Sequence, residues 1–146
     1  MDDLSYILNE LGEDRENYFN AVAPPVMQSS NFAFKTVAEL REALLDEYSA
    51  DLYSRGNNPT LSILRRKLAA LDGAEDALVF GSGVAAIAVP ILSLLKQGDH
   101  IVSVNSPYSW TVKLFRDMLP KFGITCSFID GTDIRNFKEA IKPETF

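Results

Sequence analysis

Only one cysteine, Cys126, and one histidine, His100, occur among the 146 residues. A lone cysteine excludes an internal disulfide framework, and a lone histidine excludes any multi-histidine metal site. The expected setting is therefore a reducing one, the cytoplasm, with no metal bound. Basic clusters are missing too: 14 Lys and Arg stand against 20 Asp and Glu, for a net charge of −6. That balance argues against nucleic acid or acidic membranes as partners, since both need clustered positive charge; the scattered carboxylates read as a source of solubility. Met1-Asp2-Asp3 carries neither a basic nor an apolar leader segment, so no signal peptide is expected. The longest apolar stretch, around Val84 to Leu95, falls short of the ~20 residues of a membrane span. There is no internal repeat and no low-complexity tract.

What is present suffices for a real core, because 47% of the residues are hydrophobic. Leu4, Ile7, Leu8 and Leu11 recur at helical spacing up to Gly12, which predicts a short opening helix with a glycine cap. Residues 20–35 contain adjacent prolines and no helical period, so they read as an extended arm. Thr36-Val37-Ala38-Glu39 fits a capping box opening a helix to about Tyr48. The turn-rich stretch 53–60 leads to Pro59, suited to the first turn of a helix with Leu61, Leu64, Leu68 and Leu71 on one face and Gly73 at its end. From there the pattern becomes α/β. Strands are predicted at Ala77–Phe80, His100–Val104 and Ile124–Ile129. Helices are predicted over Val84–Leu95, over Tyr108–Phe122 with Leu114, Met118 and Leu119 inward, and over Asp133–Ile141. Alternation at this spacing implies a parallel sheet with covered faces. After Pro143 a further strand is due.

Three stretches could carry chemistry. In Phe80-Gly81-Ser82-Gly83-Val84, two glycines let the chain turn sharply and let a ligand approach the free N–H groups that open the next helix. Those groups and the helix dipole favour an anion, typically phosphate; an ordinary tight turn with Ser82 as cap fits the residues equally. The dinucleotide, Walker and nucleophile-elbow glycine patterns are all absent. In Tyr53-Ser54-Arg55-Gly56-Asn57-Asn58-Pro59-Thr60, Arg55 offers a planar fork of donors and Tyr53 a hydroxyl, a pair suited to phosphate oxygens; a solvent-facing loop arginine is the alternative. In Pro107-Tyr108-Ser109-Trp110-Thr111, an aromatic beyond the carboxyl end of a strand can stack on a flat ring, or it can simply begin a helix. Cys126 reads as a small buried residue and His100 as the start of a strand.

Taken in order, these stretches resemble the Cys/Met-metabolism enzymes that use pyridoxal phosphate (PLP). The matching pieces are the arm Pro25–Phe32, a complete Y-x-R-x-x-N-P-T from Tyr53 to Thr60, Leu71-Asp72-Gly73-Ala74, S-G-x-A-A from Ser82 to Ala86, L-x-x-G-D-x-I from Leu95 to Ile101, Tyr108, and Ile141–Thr145. The resemblance implies a three-layer αβα fold with a mainly parallel sheet, of the aspartate-aminotransferase type (PLP fold type I), incomplete in this chain. It divides the chain into residues 1–58, an arm with helices that crosses to another subunit, and residues 59–146, the first part of the large PLP-binding domain. It implies PLP as cofactor, held at its phosphate by Ser82, Gly83 and Val84. Tyr108 would lie on its ring and act as the one catalytic residue here, while Tyr53 and Arg55 would serve the phosphate of a neighbouring subunit. The substrate would be a sulfur amino acid undergoing elimination or replacement at Cβ or Cγ, and the assembly a homo-oligomer, a dimer of dimers.

The family usually follows its ring tyrosine with small residues, whereas Ser109 and bulky Trp110 precede Thr111 here. The lysine that the family joins to PLP lies downstream, and Lys35, Lys67, Lys96, Lys113, Lys121, Lys138 and Lys142 all lack its setting. The chain alone is thus expected to be inactive. A non-catalytic interaction subunit and a fold type I aminotransferase are the alternative functions.

Overall fold

The computed structural model describes residues 3–146. The chain divides into two compact units, Met1–Val79 and Phe80–Phe146.

The first unit begins with α1 (Leu4–Asn9), which ends before the expected Gly12 cap; Glu10 closes it, and Gly12 turns the chain beyond it. A short 3-10 turn follows at Arg15–Tyr18. Thr36 caps α2 (Val37–Leu45), its hydroxyl accepting from Glu39 N at 3.1 Å, while the Glu39 carboxylate accepts from Lys35 N at 2.9 Å. The helix stops at Leu45, short of Tyr48, because Asp46 offers the backbone a local alternative: its carboxylate accepts from Tyr48 N at 3.2 Å. In α3 (Pro59–Asp72), Asn58 is the N-cap and Pro59 the first residue. Gly73 ends it in the left-handed region at φ 65°, where a side chain would be strained. The leucine stripe leaves Leu64, Leu68 and Leu71 exposed, whereas α3 buries the small Ala69 and packs on α1, whose Ile7 is buried. Lys67 of α3 ties the two, its Nζ donating to Leu8 O of α1 at 2.8 Å and meeting the Glu13 carboxylate at 2.5 Å, which also accepts from Arg15 Nη2 at 2.7 Å.

The second unit is built on a parallel pair, β1 (His100–Val104) and β2 (Thr125–Ile129), in register from His100–Thr125 to Val104–Ile129. The strand expected at Ala77–Phe80 is not formed: the segment joins no ladder among the described residues, and Leu78 is exposed. A strand is held by its neighbours' hydrogen bonds, and none lie beside this one. The strand due after Pro143 does begin. His100 N donates to Glu144 O at 2.9 Å and Phe146 N to His100 O at 3.0 Å, so Thr145 lies parallel to β1 on the edge away from β2.

Apolar helix α4 (Gly83–Leu94) places Ile87, Ala88 and Ile91 against a core of Leu114, Phe115, Leu119 and Ile124, joined by Ile101, Cys126 and Phe128 from the sheet. The expected helix Tyr108–Phe122 is three pieces: α5 (Ser109–Lys113), a wide π turn over Leu114–Met118, and a 3-10 turn over Leu119–Phe122. Pro120, lacking an N–H, cannot continue the α-helical ladder there. The widened turn leaves Met118 exposed, while Leu114 and Leu119 are buried as expected. Gly123 then reverses the chain into β2 at φ 72°, and α6 (Ile134–Ala140) packs on β2. No helix among the described residues is long and apolar enough to cross a membrane.

Candidate functional site

Tyr53 and Arg55 lie in the first unit, on the loop leading into α3. The loop is a tight turn in which Tyr53 O accepts from Gly56 N at 2.9 Å and Asn57 N at 3.1 Å. It is tied to the arm by a bridge between Asn31 and Tyr53, with Ser54 N donating to Ser30 O at 3.0 Å and Phe32 N to Leu52 O at 3.4 Å. Both side chains emerge into solvent on the same side, and the Arg55 guanidinium lies over the Tyr53 ring at 4.8 Å. Arg55 forms no ion pair among the described residues. Its donors are free for an anion, and the stacked ring restricts where they can go.

Ser82, Gly83 and Val84 form the other candidate group, at the start of α4. Ser82 is the N-cap, its hydroxyl accepting from Ala85 N at 3.2 Å. The N–H groups of Gly83 and Val84 belong to the first turn and have no acceptor within the helix. A side chain at Gly81 or Gly83 would meet nothing within 4 Å, so the space beside those donors is open. Ser82 thus caps the helix while the Gly83 and Val84 N–H groups stay outside the helical ladder, so the capping role and free donors coexist in this stretch. Tyr108 is also in the second unit. It precedes α5 beyond the carboxyl end of β1, its carbonyl accepts from Thr111 N at 2.8 Å, and its ring is 61% exposed. Two residues further on, the Trp110 side chain is exposed, and Lys113 Nζ sits 4.4 Å from the centre of its ring.

Residues to which the sequence assigns only a structural part, and one cleft it does not mark, complete the picture, with Cys126 half-buried in β2. His100 is fully buried, with Nδ1 2.7 Å from Thr145 Oγ1 and Nε2 2.8 Å from Ser127 Oγ. It clips β1 to β2 and to the last residues of the chain, and burial holds its imidazole below its ordinary range. Burial pushes the Cys126 thiol up to about 11, which makes it a poor nucleophile. In the first unit a polar cleft of about 460 Å³ is lined by Asp14, Tyr48, Asp51, Arg65 and Arg66. Arg65 is committed to Asp76 and Ala77 O, and Asp51 Oδ1 is buried without a hydrogen-bond partner.

Residues 7–146 match the model of the Cys/Met metabolism PLP-dependent enzymes. The chain belongs to that family. It is 38% identical over 136 residues to human cystathionine gamma-lyase, covering 92% of this chain and 31% of the relative. To L-methionine gamma-lyase of Treponema denticola it is 34% identical over 130 residues, 89% of this chain and 32% of the relative. The crystal structure of metB from Corynebacterium glutamicum superposes with a TM-score of 0.87 at 30% identity, over 99% of this chain and 36% of that one. The chain therefore spans about a third of the length of these relatives, and its α/β fold is that of the corresponding part of the family structure.

Proposed function

We propose that the chain supplies the arm and the first part of the PLP-binding domain of an enzyme that eliminates or replaces groups at Cβ or Cγ of sulfur amino acids. The observation that carries this is the Tyr53–Arg55 pair, folded, stacked and without a partner, within a complete family motif. The fold is read as the three-layer, aspartate-aminotransferase type, with the chain up to residue 58 reaching a neighbouring subunit in a homo-oligomer of the dimer-of-dimers kind. The setting is the cytoplasm.

The residues fit PLP. Two first-turn donors beside open space at Gly81 and Gly83 suit a phosphate, and an exposed tyrosine suits a flat ring. When bound, PLP serves as the sink for electrons leaving the substrate α-carbon. Gly83 N and Val84 N, with Ser82 shaping the turn, bind its phosphate. Arg55 and the Tyr53 hydroxyl supply further donors, reaching the phosphate in the neighbouring subunit. Tyr108 covers the ring, keeps water from one side of it, and holds or returns a proton at its hydroxyl oxygen. The lysine joined to PLP is not assigned to any residue of this chain. A non-catalytic interaction subunit is the second reading, favoured by the unpaired segment at 77–80 and the exposed outer residues of α4, Val89, Leu92 and Leu94.

The test is Arg55→Ala in the complete enzyme. Two charge-assisted hydrogen bonds, each on the order of 1.5–3 kcal/mol, are lost, so PLP affinity falls ~10-fold or more. The melting temperature of the PLP-free protein stays within error, because Arg55 is exposed and off the core. Mixing Arg55→Ala with a variant lacking the PLP lysine restores part of the activity if the two residues come from different subunits. Unchanged PLP affinity in Arg55→Ala refutes the reading.

A further inference from the structure

We infer that Ser54 and Asn58 are positioning residues, which clamp the loop so that Tyr53 and Arg55 are held in place before any ligand arrives. The inference rests on the reading of Tyr53 and Arg55 given under Proposed function and extends it to groups that touch no ligand.

Asn58 does more than cap α3. Its Oδ1 accepts from Thr60 N at 3.0 Å, which is all that an N-cap requires. Its Nδ2 group makes two further bonds, to Met27 O at 3.0 Å and to Ser54 Oγ at 2.8 Å. A serine or an aspartate would cap the helix as well, yet neither could give those two hydrogens. The amide thus ties the start of a rigid 14-residue helix to the arm on one side and to the loop on the other.

Ser54 is where those ties converge. Its hydroxyl accepts from Asn58 Nδ2 and donates to Ser29 O, while its N–H donates to Ser30 O at 3.0 Å. One residue is thereby held at three points, and it stands between Tyr53 and Arg55. With Ser54 fixed, the Cα positions on either side are fixed, and the Tyr53 ring and the guanidinium stacked on it leave the loop in a set direction. Thr60 completes the clamp from the helix: its Oγ1 accepts from Met27 N at 2.9 Å and donates to Pro25 O at 3.3 Å. The long arginine side chain loses conformational freedom when it binds an anion, and holding its root beforehand lowers that loss.

The experiment uses the complete enzyme and four variants. Asn58→Ser keeps the helix cap and removes both donors; Ser54→Ala removes the relay; Ser54→Thr keeps the hydroxyl; Arg55→Ala tests the underlying reading. For each, the PLP dissociation constant is measured by titrating the PLP-free protein, and amide hydrogen exchange is followed at Ser54 and Phe32. Asn58→Ser and Ser54→Ala should weaken PLP ~5–10-fold, as expected for a loss near one decade in affinity, and should speed exchange at both amides. Ser54→Thr should restore both readouts. If Arg55→Ala weakens PLP while Asn58→Ser and Ser54→Ala bind it like the parent, the positioning role is overturned and the reading of Arg55 stands. If Arg55→Ala also leaves affinity unchanged, the underlying reading fails instead. Should Asn58→Ser unfold α3, seen as fast exchange along that helix, Ser54→Ala decides, since its cap is intact.

Discussion

Replacing His100 by alanine tests the most buried polar group in the second unit. The ring is fully enclosed, and each nitrogen meets a hydroxyl, Thr145 Oγ1 at 2.7 Å and Ser127 Oγ at 2.8 Å. Thr145 Oγ1 already accepts from Lys142 N at 2.7 Å, so its own proton is best given to Nδ1, which leaves the hydrogen on Nε2 for Ser127. The neutral ring satisfies every one of these contacts. Two hydrogen bonds at about 0.5–1.5 kcal/mol each, with the packing lost from the emptied site, give a cost of about 2–4 kcal/mol. The penalty should appear in urea melts at pH 7.5 as a lower midpoint with an unchanged slope.

The pH dependence separates this from a simple packing defect. Burial disfavours the imidazolium most, Lys142 pushes the same way, and Glu144 opposes them, so the folded value lies below the ordinary 6.5. Asp99, the preceding residue, is occupied by Lys96 N at 2.9 Å and Lys96 Nζ at 3.3 Å, and the residues facing the ring from β2 and Thr145 are uncharged. Above pH ~6.5 both the folded and the unfolded His100 are neutral and the clip contributes fully. As pH falls below that point the unfolded chain takes up a proton that the folded ring resists, so stability declines until the folded value is passed. His100→Ala lacks this decline, and the gap between the two proteins should shrink from pH 7.5 to pH 5. The carboxylates held low in the fold, such as Glu13 and Asp76, titrate beneath this window in both proteins. Parallel pH slopes between 7.5 and 5 would falsify the assignment of a neutral buried ring.

Two further outcomes follow from the same structure. Glu13→Ala leaves Lys67, only 17% exposed, without its carboxylate and should cost about 2–3 kcal/mol at pH 7, somewhat under the range for a fully buried pair; because the bond to Lys67 holds the Glu13 carboxyl below its ordinary 4.5, that contribution is complete above pH ~4.5 and is lost as pH falls through the folded value, so the gap between parent and variant should narrow as melts are taken below pH ~4.5. Gly123→Ala would set a Cβ 2.6 Å from Gln97 Cγ on a backbone at φ 72°, and should cost about 1–2 kcal/mol for the left-handed conformation alone; adding Gln97→Ala should relieve the clash but keep the backbone cost, and full recovery in the double variant would refute that division.

Much of the local structure was legible because it depends on local chemistry. Thr36, Pro59, Gly73 and the alternation from His100 to Ile129 each act within a few residues, and the elements they mark are present. The misreadings share a cause in what lies outside the window of a local pattern. Ala77–Phe80 is a short apolar run of the kind that forms a buried strand, yet a strand exists only through its neighbours. The helical pattern from Tyr108 runs on across Pro120, but the missing N–H there breaks the ladder into a wide and then a tight turn.

For the candidate site the boundary between legible and illegible falls between the groups facing outward and those holding them. Tyr53, Arg55, Gly83 and Tyr108 stand at turns beside glycine or proline, and turn chemistry reads from sequence. Asn58 and Ser54 look like ordinary turn formers in the same stretch, and His100 like the first residue of a strand. Their work depends on pairings across 25 to 45 residues: Ser54 with Ser29 O, Asn58 with Met27 O, His100 with Thr145. No periodicity encodes those separations, because each is set by the path of the arm or by the order of strands. The outward groups need free donors and open space, which makes them cheap to recognise and weakly held by contacts of their own. The holding groups have the opposite character: both polar atoms of the Asn58 side chain and both ring nitrogens of His100 are engaged. A residue of either kind is therefore told apart in the structure by whether its hydrogen-bonding capacity is filled, and Arg55, stacked but unpaired, is of the outward kind.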